Sequence, residues 1–89
     1  MSKFSPGQVV ATPGALEAFE ESFYTACLDK HLDGDWGDAL SDEDKASNDS
    51  ALENGERLLS AYLDPSGHKL WIITEWDRSV TTLLLPSDY

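Results

Sequence analysis

Three short apolar runs, separated by two turn sequences, constrain the fold more than any other feature of the chain. The runs cover residues 57–63, 68–75 and 80–85, and each has the length and the apolar or aromatic content of a strand. Asp64-Pro65-Ser66-Gly67 separates the first two, with proline and glycine at the positions that favour a tight turn. Residues 76–79 separate the last two, and Pro86 ends the third run. These features predict a three-stranded antiparallel β-meander over residues 57–86.

The first 56 residues have a mainly helical pattern. Residues 8–12 read as a short strand, and Thr12-Pro13 then combines an N-cap with a proline at the first helical position. Ser41 provides a second N-cap, and Asn54-Gly55 a helix end. The predicted helices cover residues 13–22, 23–32 and 42–54. We therefore expect one α+β domain of residues 1–89, in which a short N-terminal strand and two to three short helices pack on the meander.

The net charge of −11 lies within residues 17–56, which hold 13 of the 17 acidic side chains but only Lys30 and Lys45 as bases. Such a charge repels phosphate backbones and anionic lipids, so direct binding to nucleic acid or to a membrane is disfavoured. Two interpretations remain open: a solvated face that keeps the protein soluble, or a face that docks on a basic groove of another protein. For the second, the candidate binding residues are Asp33, Asp35, Asp38, Asp42, Glu43, Asp44 and Asp49.

The sequence also bounds the compartment. Lys3 is not followed by an apolar run of the kind that a secretion signal has, and the run at residues 80–85 is too short to span a bilayer. Cys27 is the single cysteine, so no internal disulfide is expected, and its apolar neighbours indicate a buried thiol. A cytoplasmic protein is therefore predicted.

No cofactor or metal site is predicted. The loop with Asp33, Asp35 and Asp38 is acidic, as calcium-binding loops are. However, an EF-hand that starts at Asp33 would have Gly37 in place of its fifth-position ligand. The two histidines, His31 and His68, have no cysteine or second histidine at zinc-ligand spacing. The acidic loop is therefore interpreted as solvated.

A small RNase-like enzyme or toxin is the alternative to an interaction protein. A histidine, a cation and hydroxyl groups on a sheet are the set that small RNases use, and His31, Arg57 and Thr82 would provide it here. The scarcity of basic residues argues against this, because an RNase of this size usually has a positive face. A non-catalytic protein is preferred.

The meander leaves one partly apolar face without helices. Leu70 and Ile72 lie on one side of the central strand, and Trp71 and Ile73 on the other. If the helices cover one side, the N-terminal segment or a partner subunit must cover the other. A second copy of the chain, which would form a homodimer through this face of the sheet, is therefore one expected partner.

Four segments resemble a family of small bacterial proteins encoded on plasmids, integrative elements and prophages, usually labelled plasmid-related or uncharacterised. They are GQVVATPGAL at residues 7–16, HLDGDWG at 31–37, RLLSAY at 57–62 and LWIITEWDRSVTTLLLP at 70–86. Some relatives are named after a type I restriction subunit, but this chain has neither a cofactor-binding glycine motif nor an NPPY-like string. The resemblance implies an accessory protein of a mobile genetic element, with no known activity.

Together these observations predict a non-catalytic acidic protein-interaction module of a mobile element. Its partner would be a basic surface of a host or phage protein. The sharpest form of this hypothesis is a nucleic-acid-mimicking inhibitor of host defence, either restriction or CRISPR, because an anionic surface is one physical way to occupy a nucleic-acid site.

Overall fold

The structure, a computed structural model, describes residues 2–89 and has an α+β fold. The α+β prediction is therefore confirmed. A short 3-10 turn at Pro86–Asp88 follows the last strand. The regular elements, in chain order, are β1 (Gln8–Ala11), α1 (Pro13–Ala18), α2 (Glu21–Leu32), α3 (Asp42–Asn54), β2 (Leu58–Leu63), β3 (Lys69–Thr74) and β4 (Val80–Leu84).

The sheet has four strands in the order β1-β4-β3-β2, so the prediction of a three-stranded antiparallel sheet is wrong in this detail. The pairs β2–β3 and β3–β4 are antiparallel, as predicted. The added strand, β1, pairs in parallel with β4, from Gln8 beside Val80 to Ala11 beside Leu83. Two parallel strands are not joined by a tight turn, so no turn sequence predicts this pairing.

The helix ends follow the capping signals, with one difference. Thr12 Oγ1 accepts a hydrogen bond from the Ala15 N–H at 3.2 Å, and α3 ends at Gly55 in the left-handed conformation, with φ of 69°. However, α1 ends at Ala18 rather than near Ser22, because the backbone of Phe19 is extended. This break lets Phe19 become buried and stack on Phe23 of α2, with ring centroids 5.4 Å apart.

All three helices contribute to the core on one face of the sheet. The main buried cluster joins α1 and α2 to the sheet, and a second cluster joins Trp36 and α3 to β2. Cys27 lies in the main cluster, as predicted. The buried members of the main cluster are Ala15, Phe19, Cys27, Tyr62, Leu70, Ile72 and Leu83.

The reverse face of the sheet is covered in part by the C-terminus. The Tyr89 ring meets the edge of Trp71, with centroids 5.9 Å apart, and the Arg57 guanidinium lies 5.2 Å from the centre of the Tyr89 ring. The N-terminal segment lies on the helical side instead, where Phe4 contacts His31. Within the described residues, the C-terminus therefore covers part of the reverse face, whereas the N-terminal segment, which was expected there, does not.

The outer edge of β2 is closed by groups from the helical half. The side chain of Asn48 in α3 donates to Leu59 O at 2.5 Å and accepts from Leu59 N–H at 3.1 Å. Two residues further along, Ala61 N–H donates to Trp36 O at 3.0 Å. These bonds satisfy strand groups that would otherwise be available to another chain.

Candidate functional site

All 13 acidic side chains of residues 17–56 are exposed. The two described ion pairs join Arg57 to Glu75 and His68 to Asp64, each at 3.6 Å, and both lie outside that segment. The interior is built from other residues, so the carboxylates of the middle segment face solvent.

The acidic loop that precedes α3 is fixed to β2 and to α3. Trp36 is only 4% exposed, and its Nε1–H donates to Asp49 Oδ1 at 2.9 Å. Gly37 has a φ of 94°, and a Cβ there would overlap the carbonyl oxygen of Ala61. That same oxygen accepts from Ala39 N–H at 3.2 Å. The loop carboxylates are therefore held on a rigid edge of the sheet.

The predicted binding residues fall into three consecutive groups along the chain. Asp33, Asp35 and Asp38 lie in the loop, the next three form the first turn of α3, and Asp49 lies one to two turns further along. The bond from Trp36 to Asp49 joins the loop to the helix. We call this set the acidic docking surface; its members are Asp33, Asp35, Asp38, Asp42, Glu43, Asp44 and Asp49.

Some of these carboxylates also have structural contacts. Asp35 Oδ1 accepts from Gly37 N–H at 3.2 Å, and Asp49 holds the Trp36 ring. The first-turn acids of α3 interact favourably with the helix dipole, which is worth about 0.3–1 kcal/mol per group. Any test of the surface must therefore separate binding from stability.

His31 is fully buried between the end of α2 and the sheet. Its Nδ1 lies 2.5 Å from Ser60 Oγ and its Nε2 lies 2.8 Å from Thr74 Oγ1. The rings of Phe4 and Trp36 meet it edge-on, with centroids 5.3 and 5.7 Å away. Both ring nitrogens are thus satisfied inside the protein, which is the arrangement of a core histidine.

A chain of hydroxyl groups fixes the tautomer of this histidine. Thr81 Oγ1 donates to Pro6 O at 2.7 Å, so the Thr74 hydroxyl, 2.7 Å from Thr81, donates its own proton to Thr81. Thr74 Oγ1 must then accept from His31, which places the imidazole proton on Nε2. Ser60 consequently donates to Nδ1. Sequence reasoning missed the two direct partners, Ser60 and Thr74, because they lie on different strands.

Burial lowers the pKa of His31 from 6.5 to about 4, and the nearby positive charge of Arg78 acts in the same direction. The imidazole is therefore neutral at pH 7. A catalytic histidine needs a pKa near the working pH and access to substrate, whereas His31 is fully buried and its pKa lies well below 7.

The other two residues of the RNase-like alternative lie elsewhere. Arg57 Nη1 donates to the Tyr89 hydroxyl at 2.6 Å, on the reverse side of the sheet. Thr82 neighbours Ile73 and therefore faces that reverse side, whereas Thr81 faces the helices. The sheet thus separates His31 from Arg57 and Thr82, and the structure does not bring the three together.

Arg78 links the second turn to α3. It is a non-glycine residue with a positive φ, 60°, and its guanidinium donates to Glu56 O at 2.6 Å and to Ala51 O at 3.3 Å. It also lies over the Phe4 ring, 5.6 Å from its centre. The Arg78 guanidinium therefore donates hydrogen bonds to backbone carbonyl groups at the C-terminal end of α3.

Within residues 2–89, no group of three or more His, Cys, Asp or Glu side chains is placed to hold a metal ion. Among the described helices, none combines the length and the apolar content needed to cross a membrane. Compared with protein-family models, curated proteins and solved structures, this chain matches none.

Proposed function

We propose that this protein is a non-catalytic interaction module that docks through its acidic docking surface on a basic surface of another protein. The observation that carries the proposal is the exposure of all 13 acidic side chains of residues 17–56. The fixed loop supports it further, because a backbone that is already ordered loses little conformational entropy on binding.

The proposed partner is a host or phage protein with a basic groove that normally holds nucleic acid. Carboxylates spaced along a loop and a helix offer such a groove a row of negative charges, as a phosphate backbone does. A component of restriction or CRISPR machinery has this chemistry. The protein would then be a cytoplasmic accessory of a mobile genetic element that acts by mimicking nucleic acid.

A second copy of the chain is the other proposed partner. The reverse face of the sheet, where Trp71 is half-buried and Tyr89 is 68% exposed, is where it would pack. The net charge of −11 opposes this association at low salt. Docking on a basic partner is therefore the preferred function.

The test compares two variants with the same change in net charge. The docking variant carries Asp42→Asn, Glu43→Gln, Asp44→Asn and Asp49→Asn. The control carries amides at four exposed acids outside the surface: Glu17→Gln, Glu21→Gln, Asp29→Asn and Glu53→Gln. Tagged proteins are used to capture partners from the host, and the partner's affinity is then measured at increasing salt and in competition with DNA. Unfolding midpoints of both variants report any loss of stability.

Wild type and control should bind a basic partner with an affinity that falls as salt rises, and DNA should displace them. The docking variant should bind at least about tenfold more weakly, or about 1.4 kcal/mol. Equal affinity of the two variants, or binding that ignores salt and DNA, would show that the carboxylates only keep the protein soluble.

A further inference from the structure

A groove of about 590 Å³ lies between the α1–α2 junction and the turn that joins β2 to β3. One wall is formed by the α1–α2 junction and α2 and includes Phe19, Phe23 and Ala26, and the opposite wall is formed by residues 64–66. Phe19 and Phe23 stack on each other at 5.4 Å. Ala26 is exposed, so the apolar wall meets solvent.

A second, smaller cavity of about 190 Å³ lies further along α2. Phe23 lines both, and the second cavity adds Cys27 and Lys30 from the same helix. Its other wall includes Leu63, which is 44% exposed, together with residues of the acidic loop. The two cavities therefore adjoin at Phe23, and we call them together the channel along α2; it extends from the α1–α2 junction to Asp35 and Asp38 of the acidic docking surface.

Charges at the two ends of this channel favour a cationic occupant. Glu20 and Asp64 line one end, and Asp35 and Asp38 line the other. Asp64 also holds the turn by accepting from backbone N–H groups, which leaves Glu20 as the freer carboxylate. Lys30 is a cation among the lining residues, and it lies in the same cavity as Asp35 and Asp38. An anionic occupant would be repelled by these four carboxylates and attracted by Lys30 alone among the lining residues.

We infer that the channel along α2 receives a basic peptide segment of the partner, with a large apolar side chain seated against Phe19, Phe23 and Ala26. Lysine or arginine residues on either side of that anchor would meet the carboxylates at the two ends. This inference rests on the proposed docking function, and it adds a site for the apolar anchor that the acidic docking surface lacks. Buried apolar anchors supply much of the affinity of protein interfaces, while exposed charges supply rate and specificity.

The test uses two synthetic peptides of equal length and charge. One contains only lysine and serine, and in the other two central serines are replaced by leucine and phenylalanine. Binding to the ¹⁵N-labelled protein is followed by NMR chemical shifts at low salt. The matched variants are Ala26→Gln, which fills the channel, and Thr25→Gln, which places the same side chain at an exposed neighbouring position of α2. Unperturbed amide spectra of the free variants establish that both are folded.

The anchored peptide should bind about tenfold tighter or more, because burying one large apolar side chain is worth that much. Its shifts should include Phe23, Ala26 and Ser66, whereas those of the serine peptide should stay near the acidic docking surface. Ala26→Gln should remove the advantage of the anchor, and Thr25→Gln should keep it. Equal affinities of the two peptides, or an advantage that survives Ala26→Gln, would overturn the channel inference and leave docking intact. If neither peptide binds at low salt, docking itself fails as well.

Discussion

The burial of His31 predicts that the protein loses stability between pH 6.5 and pH 4. An unfolded histidine titrates with a pKa of about 6.5, whereas desolvation, helped by Arg78, lowers the pKa of the folded one to about 4. As pH falls through this window, the unfolded state binds a proton that the folded state does not, so the unfolded state is favoured. Below about pH 4 both states are protonated and this loss stops.

The magnitude follows from the displacement of the pKa. A difference of 2.5 units between 6.5 and about 4 corresponds to about 3 kcal/mol at about 1.4 kcal/mol per unit. Small domains have a total stability of about 5–15 kcal/mol, so this is a substantial part. The exposed carboxylates have the opposite effect on the stability of the folded state, because protonation relieves their mutual repulsion.

Urea unfolding, followed by tryptophan fluorescence to which the buried Trp36 contributes, measures the free energy of unfolding at a series of pH values from 7 to 4.5. His31→Gln lacks the titrating ring, so its stability should be lower at pH 7 but should fall less towards pH 4.5. His68→Gln is the matched control, since His68 is exposed, and it should follow the wild type. Parallel curves for wild type and His31→Gln would refute the argument. So would an NMR titration that gives His31 a pKa near 6.5. A ring proton found on Nδ1 would instead contradict the assigned tautomer.

Two further predictions concern the groups that close the edge of β2. Gly37→Ala should lower the free energy of unfolding, measured with urea, by about 3 kcal/mol or more, because the new Cβ overlaps the backbone and the residue has a positive φ. The control Gly67→Ala also has a positive φ but meets no atom within 4 Å, so it should cost only about 1–2 kcal/mol. Asn48→Ala should cost about 1–3 kcal/mol by leaving a strand N–H and C=O unpaired, and it should raise aggregation measured by light scattering. Ser47→Ala, at an exposed position of the same helix, should change neither quantity, and equal behaviour of these two alanine variants would contradict the role of the amide.

Much of the candidate site could be predicted because exposure follows from charge. The carboxylates of residues 17–56 outnumber the nearby bases too far to be paired internally, so they had to face water. Within residues 33–38, Trp36 is the one side chain with a large apolar surface, and the structure buries it. Its hydrogen bond to Asp49 was not predictable, because the sequence does not say which helix face passes the loop.

The RNase-like alternative failed for a comparable reason. His31, Arg57 and Thr82 are chemically suited to act together, but residue type carries no information about which face of a sheet a side chain occupies. A shift of one residue decides that face, and here it separates Thr82 from Thr81. The hydroxyl groups that do meet His31, those of Ser60 and Thr74, come from two different strands and had no common sequence signal.

The sequence by itself determined the features that depend on neighbouring residues: the capped helix starts at Thr12 and Ser41, the helix end at Gly55, the two tight turns and the outward acidic side chains. Each of these follows from local backbone geometry or from the solvation of a charge. Only the tertiary structure decided the parallel pairing of β1 with β4, the burial of His31 and the closure of α3 by Arg78. Those depend on contacts between segments far apart in the chain, where packing and hydrogen-bond satisfaction across the whole core select the partner.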